Sequence, residues 1–285
     1  MYTLSIENAA GNTLELTGRE DKWQVVSVRG LNPAPALLNM ANIYGQDGAR
    51  LQSAKLQTRN IVILLRINGA VYANRKALYD FFGTKKFIRV YFSNENRSVF
   101  ADGYIETNDC DLFTISELMQ ISIICPNPYL QSREEHLINF SGEKTLFYFP
   151  FAINQNDPVE ISSFADGTIY CDSDGETGME TVVIVKPNQT VTQIMVSNLD
   201  TNEFIGVNGP FEGGDKIIFD TRNREFIVSL IREGASTQLF RYLVSGSRPL
   251  RLQPGWNRFS YSASGTAESN AVEVSFRYRD QYDGV

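Results

Sequence analysis

His136 is the only imidazole in the chain, and it stands beside Glu134 and Glu135. A Ser-His-Asp relay or a multi-histidine zinc site needs partners that a lone histidine does not supply, so His136 reads as a solvated residue of a linker. Asp172-Ser173-Asp174-Gly175-Glu176 has the carboxylate density of a calcium loop, which makes Asp172, Asp174 and Glu176 the metal candidates. The twelfth loop position is Val183 where a bidentate Glu would be needed, and the flanks read as strands, so a turn explains the segment better. Gly209 to Gly214 lacks the lysine and the strand-to-helix setting of a phosphate loop. No spacing singles out a carboxylate pair for glycoside chemistry among 33 acids. Cys110, Cys125 and Cys171 are odd in number and far apart, so they fit neither a disulfide framework nor a zinc spacing and are expected to be reduced, buried thiols. No catalytic residue and no cofactor ligand emerges. Trp23, Trp256, Tyr261, Tyr278 and Tyr282 could stack on sugar rings, although on alternating strands such residues more often face a core.

The elements that would carry these residues are mostly strands. Tyr2 to Ile6, Leu14 to Leu16 and Val25 to Val28 alternate between turn formers and read as a hairpin or meander. Residues 32–50 hold turn formers with little periodicity, which predicts a loop or an extended arm. A long strand is expected over Leu56 to Ile67. One helix follows, with Asn74 as N-cap, a stripe of Leu78, Phe81 and Phe82, and Gly83 as C-cap. Phe87 to Phe92 and Val99 to Glu106 read as a hairpin, and Leu112 to Cys125 as further strand ended by Pro126 and Pro128. Beyond a hinge near 131–141 the pattern predicts eleven short strands, from Thr145 to Phe149 through Leu239 to Val244 and on to Ala271 to Tyr278. No helix signal interrupts them, which is the pattern of a β-sandwich or jelly roll.

The chain has 285 residues, which favours two domains over one. Its 18 Phe and 13 Tyr lean toward sheet. The net charge of −7 falls in the second half and argues against a sought nucleic-acid ligand. The longest aliphatic run, Ile61 to Leu65, is far too short to span a bilayer, and the opening residues alternate like a strand and do not resemble a secretory signal.

The order of motifs resembles the distal tail proteins of siphophage-type bacteriophages, a baseplate and tail-tip hub family. In the first half the likeness rests on Arg59, then Gly69, then Arg75-x-x-Leu78-x-x-Phe81, then Gly103, then Cys125-Pro126-Asn127-Pro128-Tyr129. In the second half it rests on Gly255-x-Asn257-x-Phe259, Tyr278 and Tyr282. The resemblance implies a mainly β chain. Residues 1–132 would be a β-sandwich-like ring domain with one short helix and an arm near 32–50, an extended hairpin that embraces the adjacent subunit. Residues 133–285 would be a galectin-like β-sandwich, with the last segment, 271–285, returning to the ring domain. The implied function is structural. A homohexameric ring in the virion, assembled in the host bacterial cytoplasm, joins the tail tube protein to a tail-tip hub or tail-associated lysin-like protein and anchors a receptor-binding protein. No enzyme activity, cofactor, sequence-specific nucleic acid or membrane insertion is implied. The competing reading is a lectin-like module that recognises host-surface carbohydrate.

Overall fold

The computed structural model describes residues 2–114, 116–140, 143–145, 162–164, 168–222, 225–264 and 272–285. The expected strands Thr145 to Phe149 and Val159 to Ser162 lie largely outside these residues. The chain divides into two units: Met1–Arg133 together with Gln281–Val285, and Glu134–Asp280.

The first unit runs β1 (Thr3–Asn8), β2 (Thr13–Glu15), β3 (Trp23–Arg29), β4 (Ala36–Asn42), β5 (Ala49–Leu56), β6 (Arg59–Ile67), α1 (Val71–Phe81), β7 (Phe87–Ser93), β8 (Ser98–Cys110), β9 (Leu118–Cys125) and β10 (Leu130–Ser132). Its main sheet has the order β2-β1-β7-β8-β9-β6-β3. Strict alternation in β6 points Ile61, Ile63, Leu65 and Ile67 inward, and the same pleat in β9 buries Met119, Ile121, Ile123 and Cys125 beside them. The long β8 pairs with β7 through its first half and with β9 through its second, shifting register at a bulge between Ile105 and Thr107. β10 pairs with the freed edge at Val99 and Phe100 and also with the returning strand Gln281–Tyr282.

α1 corrects the expected caps. The N-cap is Ala70, with no side-chain bond, and Asn74 lies one turn inside the helix. The Asn74 amide is used elsewhere, donating 2.8 Å to the Asn68 carbonyl. The C-cap is Phe82, whose N–H bonds the Leu78 carbonyl, so the chain leaves the helix without needing a left-handed glycine at 83. Leu78 and Phe82 are fully buried and Phe81 packs at the edge of the core.

The second unit comprises β11 (His136–Phe140), β12 (Glu143–Thr145), β13 (Ser162–Phe164), β14 (Thr168–Ser173), β15 (Met179–Pro187), β16 (Val191–Asn198), β17 (Glu203–Phe211), β18 (Lys216–Asp220), β19 (Ile227–Arg232), β20 (Ala235–Gln238), β21 (Arg251–Leu252), β22 (Gly255–Ser264) and β23 (Val272–Tyr278). β24 (Gln281–Tyr282) is the strand that returns to the first unit. Two sheets, ordered β11-β23-β15-β18-β19-β20 and β14-β22-β16-β17, enclose one core of Val183, Val185, Ile194, Val196, Phe219, Phe259 and Phe276 among others. Facing apolar sheet surfaces of this kind bury each other and make a sandwich. The strand expected at Leu239 to Val244 is instead a 3-10 turn at Phe240–Tyr242, and β20 just before it lacked any apolar alternation to announce it.

Candidate functional site

The segment near 32–50, expected as a loop or an extended arm and implied by the resemblance to be an extended hairpin, is a β-hairpin, β4 with β5, and it extends to Leu56, taking the first residue expected for the long strand. Among the described residues it belongs to no larger sheet. The register sets Leu38 opposite Ala54 and Met40 opposite Leu51, with a bulge between Asn39 and Met40. These four residues therefore share one face, and Leu38, Met40 and Leu51 are 50%, 54% and 51% exposed. Ile43 and the fully exposed Tyr44 extend the apolar character into the tip. The opposite face holds the Asn39–Ser53 hydrogen bond at 2.8 Å. A two-stranded ribbon is marginal in water by itself, and an amphipathic one with no core beneath it needs a surface to cover its apolar side.

The hairpin's base is held by Arg59, which is 1% exposed. Its Nε donates to the Pro128 carbonyl at 2.7 Å, Nη1 to the Gly30 and Asn32 carbonyls at 2.5 and 2.6 Å, and Nη2 to the Asp283 carbonyl at 2.7 Å. Burial lowers the guanidinium pKa, opposed by the nearby Cys125 thiol and Asp283, and an arginine so placed stays a cation. Gly30 allows the close approach: its φ is +87° and a Cβ there would sit 1.9 Å from the Asn60 carbonyl oxygen.

The other motif residues of the first half are not all gathered at this base; Gly69 and Arg75 lie beyond the opposite end of β6. Gly69 turns at φ +63°, and a Cβ there would meet the Asp21 carbonyl at 2.6 Å. Arg75 Nη1 donates to both carboxylate oxygens of Glu117 at 2.6 and 2.7 Å, tying α1 to the start of β9. Gly103 lets β8 lie against Cys125, whose thiol burial pushes up to about 12, leaving it an inert packing group. Cys171 is buried in the same manner, while Cys110 is half-buried beside Glu117. Pro126 follows the end of β9, and the Tyr129 N–H caps the turn through Asn127 at 3.1 Å. Tyr282 receives the Arg97 guanidinium on its ring at 4.4 Å. Sequence reasoning missed Gly30, Asn32 and Asp283 as Arg59's partners, because a carbonyl acceptor leaves no mark in residue type.

In the second unit, Gly255 turns at φ +79°, and Asn257 closes the β21–β22 corner by accepting from the Gln253 N–H at 2.7 Å and donating back to its carbonyl at 2.7 Å. Phe259 is fully buried, and the Tyr278 hydroxyl donates to the Asp172 carbonyl at 2.6 Å. His136 is the first residue of β11 and not a linker residue, although its side chain stays 42% exposed. Its Nε2 lies 2.9 Å from Asp280 Oδ2, and its ring stacks on Tyr278 at 4.9 Å. Ser173 Oγ donates to the other oxygen of Asp280 at 2.7 Å. The carboxylate thus stands between hydroxyl and imidazole, whereas proton transfer from a nucleophilic serine needs the imidazole in the middle. Asp172, Asp174 and Glu176 are exposed, and among the described residues no three ligating side chains converge.

Of the five aromatics considered for stacking, Trp23, Tyr278 and Tyr282 are buried and Tyr261 is half-buried against the sandwich core. Trp256 is 71% exposed. It stands opposite Asp172 on the outer face of the β14–β22 pair, and the next pair on that face is Tyr170 with Arg258, Tyr170 also being exposed. Asp200 pins Arg258 in a charge-assisted pair at 2.7–2.8 Å.

The fold is similar to that of phage tail components. Residues 14–111 match the phage tail protein RIFT-related domain, and residues 174–282 match the C-terminal domain of siphovirus-type tail components. The crystal structure of the Dit (gp 19.1) protein of phage SPP1, described as a paradigm of the hub adsorption apparatus in phages infecting Gram-positive hosts, superposes with a TM-score of 0.69 at 12% identity, covering 99% of both chains. A chain of the phage P2 baseplate in its activated conformation superposes with a TM-score of 0.55 at 14% identity over the whole of both chains. No curated protein matches by sequence. The chain belongs to the siphophage distal tail proteins, structural components of the baseplate hub, and its place is the virion.

Proposed function

We propose that six copies of this chain close into a ring at the distal end of a long non-contractile tail, assembled in the host bacterial cytoplasm. The ring joins the tail tube protein to the tail-tip hub, a tail-associated lysin-like protein, and anchors a receptor-binding protein. The observation that carries this reading is the amphipathic β4–β5 hairpin, whose Leu38, Met40 and Leu51 face has no core of its own. In a closed ring each subunit offers one surface to a different surface of the next, and an arm with an uncovered apolar face supplies one half of such a contact. Light scattering at micromolar protein tests it: a particle of six times 32.1 kDa supports the ring, and a monomer both in solution and in reconstituted tail tips refutes it.

A second reading concerns the sandwich, and Trp256 favours it. An exposed indole with Tyr170 diagonal to it, flanked by Asp172 and the pinned Arg258, offers a stacking face and hydrogen-bonding groups suited to a saccharide. A glycan array with the full chain and its Trp256→Ala variant tests it. Binding lost in the variant supports adhesion by this face, and an empty array refutes it.

A further inference from the structure

We infer that Arg59 is the positioning residue of the β4–β5 arm, and that it sets the arm's direction only when Gln281–Val285, a segment translated after the whole second unit, has docked. The inference rests on the reading of the arm as the contact between subunits.

Arg59 is the first residue of β6, directly after the arm, and Gly30 and Asn32 are among the last residues before it. One guanidinium group therefore closes the arm's base from both sides, helped by the Gln57 N–H bonding the Pro35 carbonyl at 2.8 Å. No carboxylate is among its hydrogen-bond acceptors; they are four backbone carbonyls drawn from three stretches of chain. A planar fork of five N–H donors suits that task, whereas an ammonium offers three donors from a single point.

The fourth acceptor, Asp283, brings in the returning segment, and several further contacts bind that segment to the arm's root. The Val285 N–H bonds the Leu31 carbonyl at 3.2 Å. Gly284 lies so close to Pro33 that a Cβ would approach its ring at 3.0 Å. Arg97 donates to the Gly284 carbonyl at 3.1 Å while lying over Tyr282. The root is thus built half from residues 30–35 and half from residues 281–285. Domains commonly fold as the chain emerges, the first before the second. Here the first unit's arm lacks its support until Glu134–Asp280 has been made, so ring contacts await the returning segment.

The test uses the full chain with spin labels at Gln46→Cys on the arm tip and Ala73→Cys on α1, in a Cys110→Ser background, diluted into unlabelled protein. Pulsed dipolar spectroscopy reads the width of the distance distribution. Two variants probe the clasp: Arg59→Lys, which keeps the charge but not the fork, and Gly284→Ala, which leaves Arg59 intact and pushes a methyl against Pro33. A narrow distribution in the parent, broadened ~2-fold or more in both variants while α1 and the core keep their circular dichroism, supports the inference. Should Arg59→Lys fail to fold, Gly284→Ala alone decides. Parent-like widths in the folded variants, or a parent distribution that is already broad, overturn it. A parent chain that never oligomerises refutes the ring and leaves this comparison of widths valid.

Discussion

Replacing the apolar face of the arm with hydroxyls, as Leu38→Thr, Met40→Thr and Leu51→Thr together, separates assembly from folding. Threonine is β-branched and favours a strand at least as well as the Leu and Met it replaces, so the hairpin itself is preserved. About half of each side chain remains exposed in the single chain. Fully burying a Leu or Met contributes about 1.5–3 kcal/mol, so covering the remaining half contributes about 1 kcal/mol per residue. Three residues then supply about 3 kcal/mol per subunit contact, which is roughly a 100-fold change in the association constant. The cost to the isolated chain should stay within about 0.5 kcal/mol, because exposed positions rarely matter more. The assay pairs thermal unfolding of the dilute protein with light scattering across a concentration series. An unchanged unfolding midpoint with a ring that requires roughly 100-fold more protein is the expected result. Undiminished assembly would show that this face is not the contact. A large fall in the unfolding midpoint would show that it packs within its own chain.

Arg59→Ala removes four charge-assisted hydrogen bonds, one buried and three part-buried, at about 1 kcal/mol each and leaves a cavity, so the first unit should lose about 4–6 kcal/mol, comparable to a domain's whole stability; denaturant titration checks it. Gly30→Ala should cost about 3 kcal/mol or more in the same titration, because its Cβ would collide with the Asn60 carbonyl at a backbone angle that L residues avoid. In the second unit, Arg232 forks onto the buried Asp215 at 2.6–2.8 Å and holds its carboxyl below the ordinary range. A depressed carboxylate stabilises the fold above its unfolded pKa of about 3.9 and loses that contribution as pH falls through the lower folded value. The stability gap between the parent and Asp215→Asn should therefore be flat from about pH 5 to 8 and shrink below about pH 4; a gap that persists at lower pH would refute the pairing. Trp256→Ala should leave the unfolding midpoint unchanged, since the indole is mostly exposed, and act only on saccharide binding.

Much of this protein was legible in its residue order. Alternation of period two announced β7 and most of the sandwich strands because each buries one face against a core, and burial leaves its pattern in residue type. The apolar run of β6 pointed to a strand buried on both faces, whereas the sheet buries Ile61, Ile63, Leu65 and Ile67 on one face and leaves the other half-covered. The motif order from Arg59 to Tyr282 pointed to a tail component for the same reason: glycines at forced turns and close approaches, and an arginine where several carbonyls converge, are demanded by the fold. The arm did not announce itself as strand. Its apolar residues face no core of this chain, and the extra residue Gln52, which bulges from β5 opposite Asn39 and Met40, breaks that strand's simple alternation. Trp256, Tyr278 and Tyr282 are the same kind of residue in sequence, yet one is exposed and two are buried, because the pleat and register of particular strands decide which way a ring points. The joining of Gly30, Asn32, Pro128 and Asp283 at one guanidinium was likewise decided only in three dimensions. Backbone carbonyls belong to every residue, so nothing in the order of side chains marks the few that chain return brings within 3 Å of Arg59.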